Sequence, residues 1–501
     1  METLFYKLMY DKQLKRSMTL LDILSKAERA VTIKELEQSL AVSKQTVLST
    51  IEFAKSLLAE DLYLELGKKD VQLFNNSQRP IEVVLTEIAR ETIPNKVLEH
   101  VFYDRDLNIH AMAEALFISE STLRSVIVHM NKTLRLFKCS ISFYDLKMLG
   151  TETDIRYFFY AYFSEFQDLF HALFEKPLQV CLAIFEDIKR ISVTKNGKLL
   201  NYSSQQAVRW MILAKERLEV KRCVHIEESL MQRVQSRTSY TGFKHIYENK
   251  IMRYLACAQV PEAEIAWAYI VGFNTIIYHN NDGCEWCPDD ADSSISEEKV
   301  TAAFCSVSHT LRIPQDCRPQ FLAIHTAYFL NLSLLTDLSS CFQIGSGSVK
   351  NYVIQNLKWP YKIWMDYLSK IYDGHILPIH DIGTIATQLT MISSQFIYSQ
   401  QVKAERVLYS FEGESGLPAY LEGLARTLLP SGIDGVFIYS EPITAELVRQ
   451  ISPDIVVSNY QINEEFEGCR VLRMSYIPQI QEWTLLREWI VDLGSGDSKN
   501  Q

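Results

Sequence analysis

The chain has 501 residues, a formal net charge of −10, 47% hydrophobic residues and 22% charged residues. That length exceeds what one hydrophobic core organises, so several domains are expected, and the ordinary composition excludes a disordered or low-complexity chain. No basic-then-apolar leader opens it, and apolar runs such as Tyr157–Phe163 and Ile265–Phe273 fall short of the roughly 18 residues of a membrane span, so a cytoplasmic location without a membrane partner is expected.

Residues 10–26 predict an amphipathic helix, with Leu14, Met18, Leu21 and Leu24 inward and Lys12, Lys15 and Arg16 outward. Thr32 to Leu57 then reads as two short helices joined by a tight turn, with Ser43 opening the second. Leu62–Phe74 alternates on either side of Gly67-Lys68-Lys69, the pattern of a β-hairpin wing. Residues 1–80 are therefore expected to form a winged helix-turn-helix unit.

A second such unit is expected over 81–160. It opens with Ile81–His100 and ends with a wing at Ile141–Leu149. Between them, Ile109, Met112, Ala113 and Leu116 mark one helix face, and Phe117-Ile118-Ser119 marks a break. Ser119 then caps a helix whose Leu123, Ile127 and Met130 point inward. Shifted by 76 positions, the first unit superposes on this stretch: Ile33 on Ile109, Leu36 on Met112, Leu40 on Leu116, Val42 on Ile118, Ser43 on Ser119, Thr46 on Thr122, Val47 on Leu123 and Ile51 on Ile127. Two amphipathic hairpins of a helical bundle would share much of this pattern. The Ser-x-x-Thr opening that recurs in register favours a duplicated reader of DNA.

Charge distribution agrees with that reading. Residues 1–150 hold 20 Lys+Arg and 20 Asp+Glu, leaving 31 against 41 for the remainder, which carries the whole deficit. Arg124, Lys132, Arg135 and Lys138 follow one another with no acid between Ser121 and Ser140, a patch able to neutralise phosphates. In double-stranded DNA, Ser119, Ser121 and Thr122 would bond phosphate or base edges, and Arg124 and Ser125 would face bases. His129, Lys132, Arg135 and Lys138 would hold the flanking backbone. Lys44, Gln45, Thr46, Ser49 and Lys55 occupy the matching places in the first unit.

Beyond Gly150 the pattern over 154–398 is almost continuously helical. The aromatic stripe Tyr157, Phe158, Tyr160, Phe163 and Phe166 reads as packing. Breaks at Lys195–Gly197, His279–Ser293 and Ile344–Ser348 divide the region into bundles at 161–280 and 281–400, with Gly345-Ser346-Gly347 read as a linker. Ten scattered cysteines suit a reducing compartment. Cys284, Cys287, Cys305 and His309 have zinc-ligand chemistry, but a single CxxC in an acidic loop leads us to expect no metal and no cofactor. Residues 401–495 alternate apolar runs at 407–409, 435–439, 454–458 and 470–474 with helical stretches at 416–428, 444–451 and 479–491, as in a small parallel α/β sheet.

This order resembles the Mga/AtxA family of Gram-positive virulence transcription regulators. The run Leu149-Gly150-Thr151-Glu152-x-x-Ile155-Arg156-Tyr157-Phe158 resembles the segment by which that family leaves its DNA-binding half. The resemblance implies a multidomain, mainly α chain: two winged helix-turn-helix units, two bundles like phosphotransferase-system regulatory domains (PRD), and a IIB-like α/β domain. It implies a homodimeric activator, not an enzyme, that dimerises through the C-terminal domain. Its further partners would be RNA polymerase and the phosphocarrier HPr, which would phosphorylate histidines; His225, His279 and His325 are the candidates. Regulatory domains of this type pair His and Arg seven apart. Here Trp210 precedes Arg217, and His325 precedes Leu332, so neither bundle keeps the pair. The IIB likeness lacks its nucleophile, because Ser410-Phe411-Glu412-Gly413-Glu414-Ser415 stands where a cysteine is needed and Cys469 is the domain's only thiol. The alternatives are a IIB-type phosphocarrier and a PRD-containing RNA-binding antiterminator.

Overall fold

Short amphipathic segments separated by strong caps dictate the amino-terminal architecture. In the computed structural model, the described residues are 4–494 except 28, 59–61, 77–80, 166–169, 171–172, 174–198, 201, 255–259, 279–283, 286–293, 346, 371, 373–376, 399–405, 413–415, 429–432, 439–442, 461, 463, 465 and 467. They divide into two compact units, Met1–Val307 with Leu322–Met391, and Ser308–Phe321 with Ile392–Gln501.

The first unit begins with a helix that the sequence pattern did not suggest, α1 (Leu4–Leu8), whose Leu4, Phe5 and Leu8 are buried. The first winged helix follows as α2 (Lys12–Ser25), β1 (Val31–Thr32), α3 (Ile33–Leu40), α4 (Lys44–Ser56), β2 (Leu62–Leu66) and β3 (Asp70–Asn75). A reciprocal capping box between Thr32 and Glu35 starts α3, and Ala41, in the left-handed region at φ 53°, stops it. The wing is as expected, with β1 added to its edge in the order β1-β3-β2. Leu62, Leu64 and Val71 face inward, while Tyr63 and Phe74 stack on the outer face with centroids 5.2 Å apart. Arg16, expected outward, is half-buried with its Nε enclosed, since its long stem lies along apolar surface.

The second winged helix comprises α5 (Ile81–Arg90), α6 (Ile93–Phe102), α7 (Ile109–Ala115), α8 (Glu120–Leu134), β4 (Ser140–Ile141) and β5 (Met148–Leu149). Its wing is shorter than Ile141–Leu149 suggests. Ser142 N–H donates across the hairpin to the Lys147 carbonyl at 3.0 Å; within that pair Ser142 Oγ accepts from Tyr144 N–H and Asp145 Oδ1 accepts from Lys147 N–H, so turn bonds fill the space where longer strands would run.

Helix α9 (Glu152–Glu165) leaves this module and carries the expected aromatic stripe, with Phe158 and Phe163 fully buried; Phe166 lies outside the described residues. It also carries charge into the core. Arg156 donates to both oxygens of Glu264 (2.8 and 3.0 Å) and to Glu152 (3.1 Å), and its guanidinium lies 4.6 Å from the Trp267 ring centre. Arg217, on α10 (Ser204–Glu219), donates to both Glu152 oxygens (2.8 and 2.9 Å) and to the Phe102 carbonyl. Arg156 and Glu264 are wholly buried and Arg217 almost so. One apolar cluster runs from Leu4 to Phe342, so the expected boundaries at 80, 160 and 280 lie within one compact unit.

The described part of 154–398 is mainly helical. The break at 195–197, His279 and Cys287 lie outside the described residues. At the stretch read as a linker, Gly347 already begins a helix, and Gly345 N–H donates to Thr384 Oγ1. A Cβ on Gly345 would come within 2.6 Å of the Thr384 side chain, which is why glycine stands there. One helix, Arg318–Leu338, is long and apolar enough to cross a membrane, and 61% of its most apolar window is buried within the protein.

In the second unit the strands Arg406–Ser410, Asp434–Ile438, Ile455–Ser458 and Arg470–Arg473 form a wholly parallel sheet. In chain order its strands lie 4-3-1-2. Val407 and Tyr409 enter one apolar cluster with Leu421, Trp483 and Leu486, and Leu408 enters another with Val448 and Val456. Both faces are covered, which is why these strands read as unbroken apolar runs.

Candidate nucleic-acid interface

Helix α8 is built to project from the second winged helix. Leu123, Val126, Ile127, Met130 and Leu134 are buried and seat one face against the core. Ser119 caps the helix, accepting from Thr122 N–H at 3.1 Å. Its hydroxyl also lies 2.8 Å from both Ser121 Oγ and Thr122 Oγ1, giving an exposed knot of three hydroxyls at the positive end of the helix. Arg124 and Ser125 are exposed one turn further on, and Ser125 Oγ donates to the Ser121 carbonyl. Lys132, Arg135 and Lys138 are exposed too, and neither they nor Arg124 makes an ion pair among the described residues. His129 differs. It is half-buried, with Nε2 enclosed and its ring edge-on to Tyr10 at 5.9 Å, so it packs more than it projects.

The first unit presents the matching set less openly. Lys44, Gln45 and Ser49 are exposed, Thr46 is half-buried with Oγ1 3.0 Å from Ser43 Oγ, and Lys55 pairs with Glu52 at 2.9 Å.

Three features went unread in the sequence. Asn131 sits on the buried face of α8, donates to the Ile141 carbonyl (3.0 Å) and accepts from Ile141 N–H (2.7 Å), tying the wing to the helix. An amide among inward-facing residues was the readable sign. Gly150 closes the wing at φ 140°, where a Cβ would meet the Lys138 carbonyl at 3.0 Å and Cys139 Sγ at 3.2 Å. His110, on α7, contacts Glu120 at 2.8 Å and Glu114 at 3.3 Å. The bond to Glu120 raises its pKa above the ordinary histidine value, with both carboxylates adding to the effect. Its i, i+4 spacing to Glu114 was legible, whereas its reach across the turn to Glu120 was not.

Residues 77–163 match the family model described as the Mga helix-turn-helix domain. This stretch is similar to Mga helix-turn-helix domains. Three curated relatives agree with the match. The chain is 28% identical over 155 residues to a Streptococcus pneumoniae serotype 4 protein named "Putative trans-acting regulator". It is 24% and 23% identical over 146 residues to the Bacillus anthracis capsule synthesis positive regulators AcpB and AcpA. These alignments cover 29–31% of this chain and 30–31% of each relative, so the similarity spans about a third of either protein. The resemblance to the Mga/AtxA family is thus supported through residues 77–163.

The histidine candidates are placed very differently. His225 is exposed, His279 lies outside the described residues, and His325 is wholly buried, stacked on Trp364 at 5.3 Å. Among the described residues no group of three or more His, Cys, Asp or Glu side chains could hold a metal. Cys305 and His309 are exposed, but their expected partner Cys287 is outside that set. In the second unit Ser410 Oγ lies 2.8 Å from Tyr460 OH, and Asn459 bridges Glu412 through both its amide atoms. Cys469 precedes the strand Arg470–Arg473, whereas Ser410 ends its own strand. In a parallel sheet these are opposite edges. Burial, with Asp454 nearby, pushes the Cys469 thiol up to about 11.

Proposed function

We propose that this chain is a cytoplasmic, DNA-binding transcription regulator of the Mga type, acting as a homodimeric activator of virulence-related genes. The observation that carries the reading is α8 of the Mga domain: a capped helix, braced by Asn131, that offers a hydroxyl knot and Arg124 at its tip and unpaired cations along its flank. In double-stranded DNA its amino end enters the major groove, Arg124 and Ser125 face bases, and Lys132, Arg135 and Lys138 hold the backbone. Helix α4, with Lys44, Gln45, Thr46, Ser49 and Lys55, makes a second contact in the same way, which lengthens the footprint.

The same reading assigns residues 1–80 and 81–160 to two winged helices, 161–280 and 281–400 to PRD-like bundles, and 401–495 to a IIB-like domain that mediates dimerisation. RNA polymerase and HPr are the proposed protein partners. The position of Cys469, at the opposite end of the parallel strands from Ser410, supports a IIB-like domain without phosphotransfer. Of the two described candidates, exposed His225 is the one a phosphocarrier could reach without local opening, while His325 would first have to leave its Trp364 stack.

Binding to duplex fragments tests the assignment. Arg124→Ala should cost roughly 1–3 kcal/mol at a specific site, and Lys132→Ala should weaken all sequences alike and lower the salt slope by about one. A double variant that binds as tightly as wild type refutes it. Incubation with labelled HPr, comparing wild type with His225→Ala and His325→Ala, tests the regulatory step.

A further inference from the structure

A cavity of about 390 Å³ lies within the first unit, where α9 meets the helices that follow it. That volume falls in the range of small-molecule sites, roughly 300–1,000 Å³. No charged side chain is among its lining residues. Aromatic faces come from Tyr160, Tyr278 and Tyr328, the last two ring-to-ring at 5.4 Å. Uncharged polar groups come from Gln206, Asn274 and Gln388.

Most polar groups on such a wall are satisfied internally, and here some are: Tyr278 OH accepts from Asn331 at 2.9 Å. The side chains of Gln206, Gln388 and Tyr328, by contrast, make no hydrogen bond to the protein among the described residues. Two amides and a phenol, each able both to donate and to accept, are thus left on a half-buried surface between aromatic rings. Unsatisfied polar groups in such a place cost free energy unless something bonds to them.

We propose that this cavity binds an uncharged, hydroxyl-rich ring, a free sugar. Alternating donors and acceptors match hydroxyls, and the tyrosine faces match the C–H edges of a pyranose ring. A sugar phosphate or carboxylate would be buried without a counter-charge, which the lining cannot supply. Arg209 is near, but it is engaged on Ser164 Oγ at 2.9 Å and over the Tyr160 ring at 5.7 Å. Since Tyr160 belongs to α9, occupancy would bear on the helix that leaves the Mga domain. The inference does not depend on the DNA reading.

Isothermal titration of the full chain with D-glucose, sucrose and glucose 6-phosphate tests it. At least one neutral sugar should bind saturably at one per chain, and glucose 6-phosphate should bind at least tenfold more weakly than that sugar. Tyr328→Phe, which keeps the ring and removes one hydroxyl, and Gln388→Leu should each weaken binding about tenfold. Circular dichroism would show that both variants remain folded. Absence of binding by both neutral sugars, equal binding of the phosphate, or unchanged affinity in both variants overturns the proposal. Duplex binding by the same preparations reads the DNA-binding proposal separately.

Discussion

Replacing Glu264 by Leu should open the junction between α9 and the helix Glu262–Gly272. Glu264 is wholly buried and accepts three hydrogen bonds, two from Arg156 and one from Val224 N–H at 2.7 Å. Burial works against the charge of Arg156, yet Glu264 and Glu152 offset it and hold the pKa above the ordinary arginine value. Removing one partner of such a pair leaves the other charged in a dry site, a cost of about 3–5 kcal/mol. Arg156→Met should cost about as much for the mirrored reason. The double variant Arg156→Met/Glu264→Leu removes both charges and adds apolar volume. Its main deficits are the orphaned Val224 N–H, about 1–3 kcal/mol, and the part-buried Arg222 carbonyl that loses its bond from Arg156. The double variant should therefore be more stable than either single one. Native-state hydrogen exchange across Val224 and Glu262–Gly272 measures this locally, without treating a multidomain chain as two-state. Single variants within about 1 kcal/mol of wild type, or a double variant as costly as the sum, would refute the reasoning.

Three further outcomes follow from the second winged helix. Asn131→Leu leaves both backbone groups of Ile141 unpaired and should cost about 2–4 kcal/mol, with faster proteolysis of the wing over 140–149. Gly150→Ala forces a side chain into positive φ against the Lys138 carbonyl and should lower stability by roughly 1–3 kcal/mol, read as a lower urea midpoint. His110 has a raised folded pKa, so its ion-pair contribution is complete below the unfolded value of about 6.5 and disappears as pH rises through the folded one. Deprotonation also uncovers Glu120 at the tip of α8. DNA affinity should therefore fall in wild type as pH rises from about 6.5 through the raised pKa, and change less in His110→Gln.

The readable part of this fold was its periodic part. The apolar residues duplicated over a spacing of 76 mark the packing frame, and the duplicated Ser43/Ser119 and Thr46/Thr122 mark the caps of the two helices. Ile33 with Ile109, Val47 with Leu123 and Ile51 with Ile127 are all buried. The C-terminal strands were legible for another reason: a parallel sheet covered on both faces writes itself as short continuous apolar runs. Long-range polar partners were not legible. Nothing local in Glu152 or Glu264 signals that they meet arginines 65 and 108 residues away. Helix α1 was missed because five residues carry too little periodicity to show. Its buried leucines answer to α8 and α9, which lie far along the chain.

Position 210 joins the sequence departure to the structure. Where the resemblance leads one to expect a histidine seven residues before Arg217, Trp210 instead lies flat on Tyr160 of α9, ring centres 4.1 Å apart at 4°. Arg217, the retained half of that pair, gives its guanidinium to Glu152 of the same helix and to the carboxyl end of α6. A phosphohistidine site needs a solvent-reached imidazole and an arginine free to receive the phosphate. Here the first residue has become an aromatic plate and the second is fully committed. Both positions hold α9, and through it the second winged helix, against α10. Phosphorylation at this site is excluded by chemistry, since indole cannot accept the group, and the pair serves as a clamp. The tyrosine-lined cavity shares Tyr160 with this clamp, so under the proposed function a molecule bound there would act on the clamp directly.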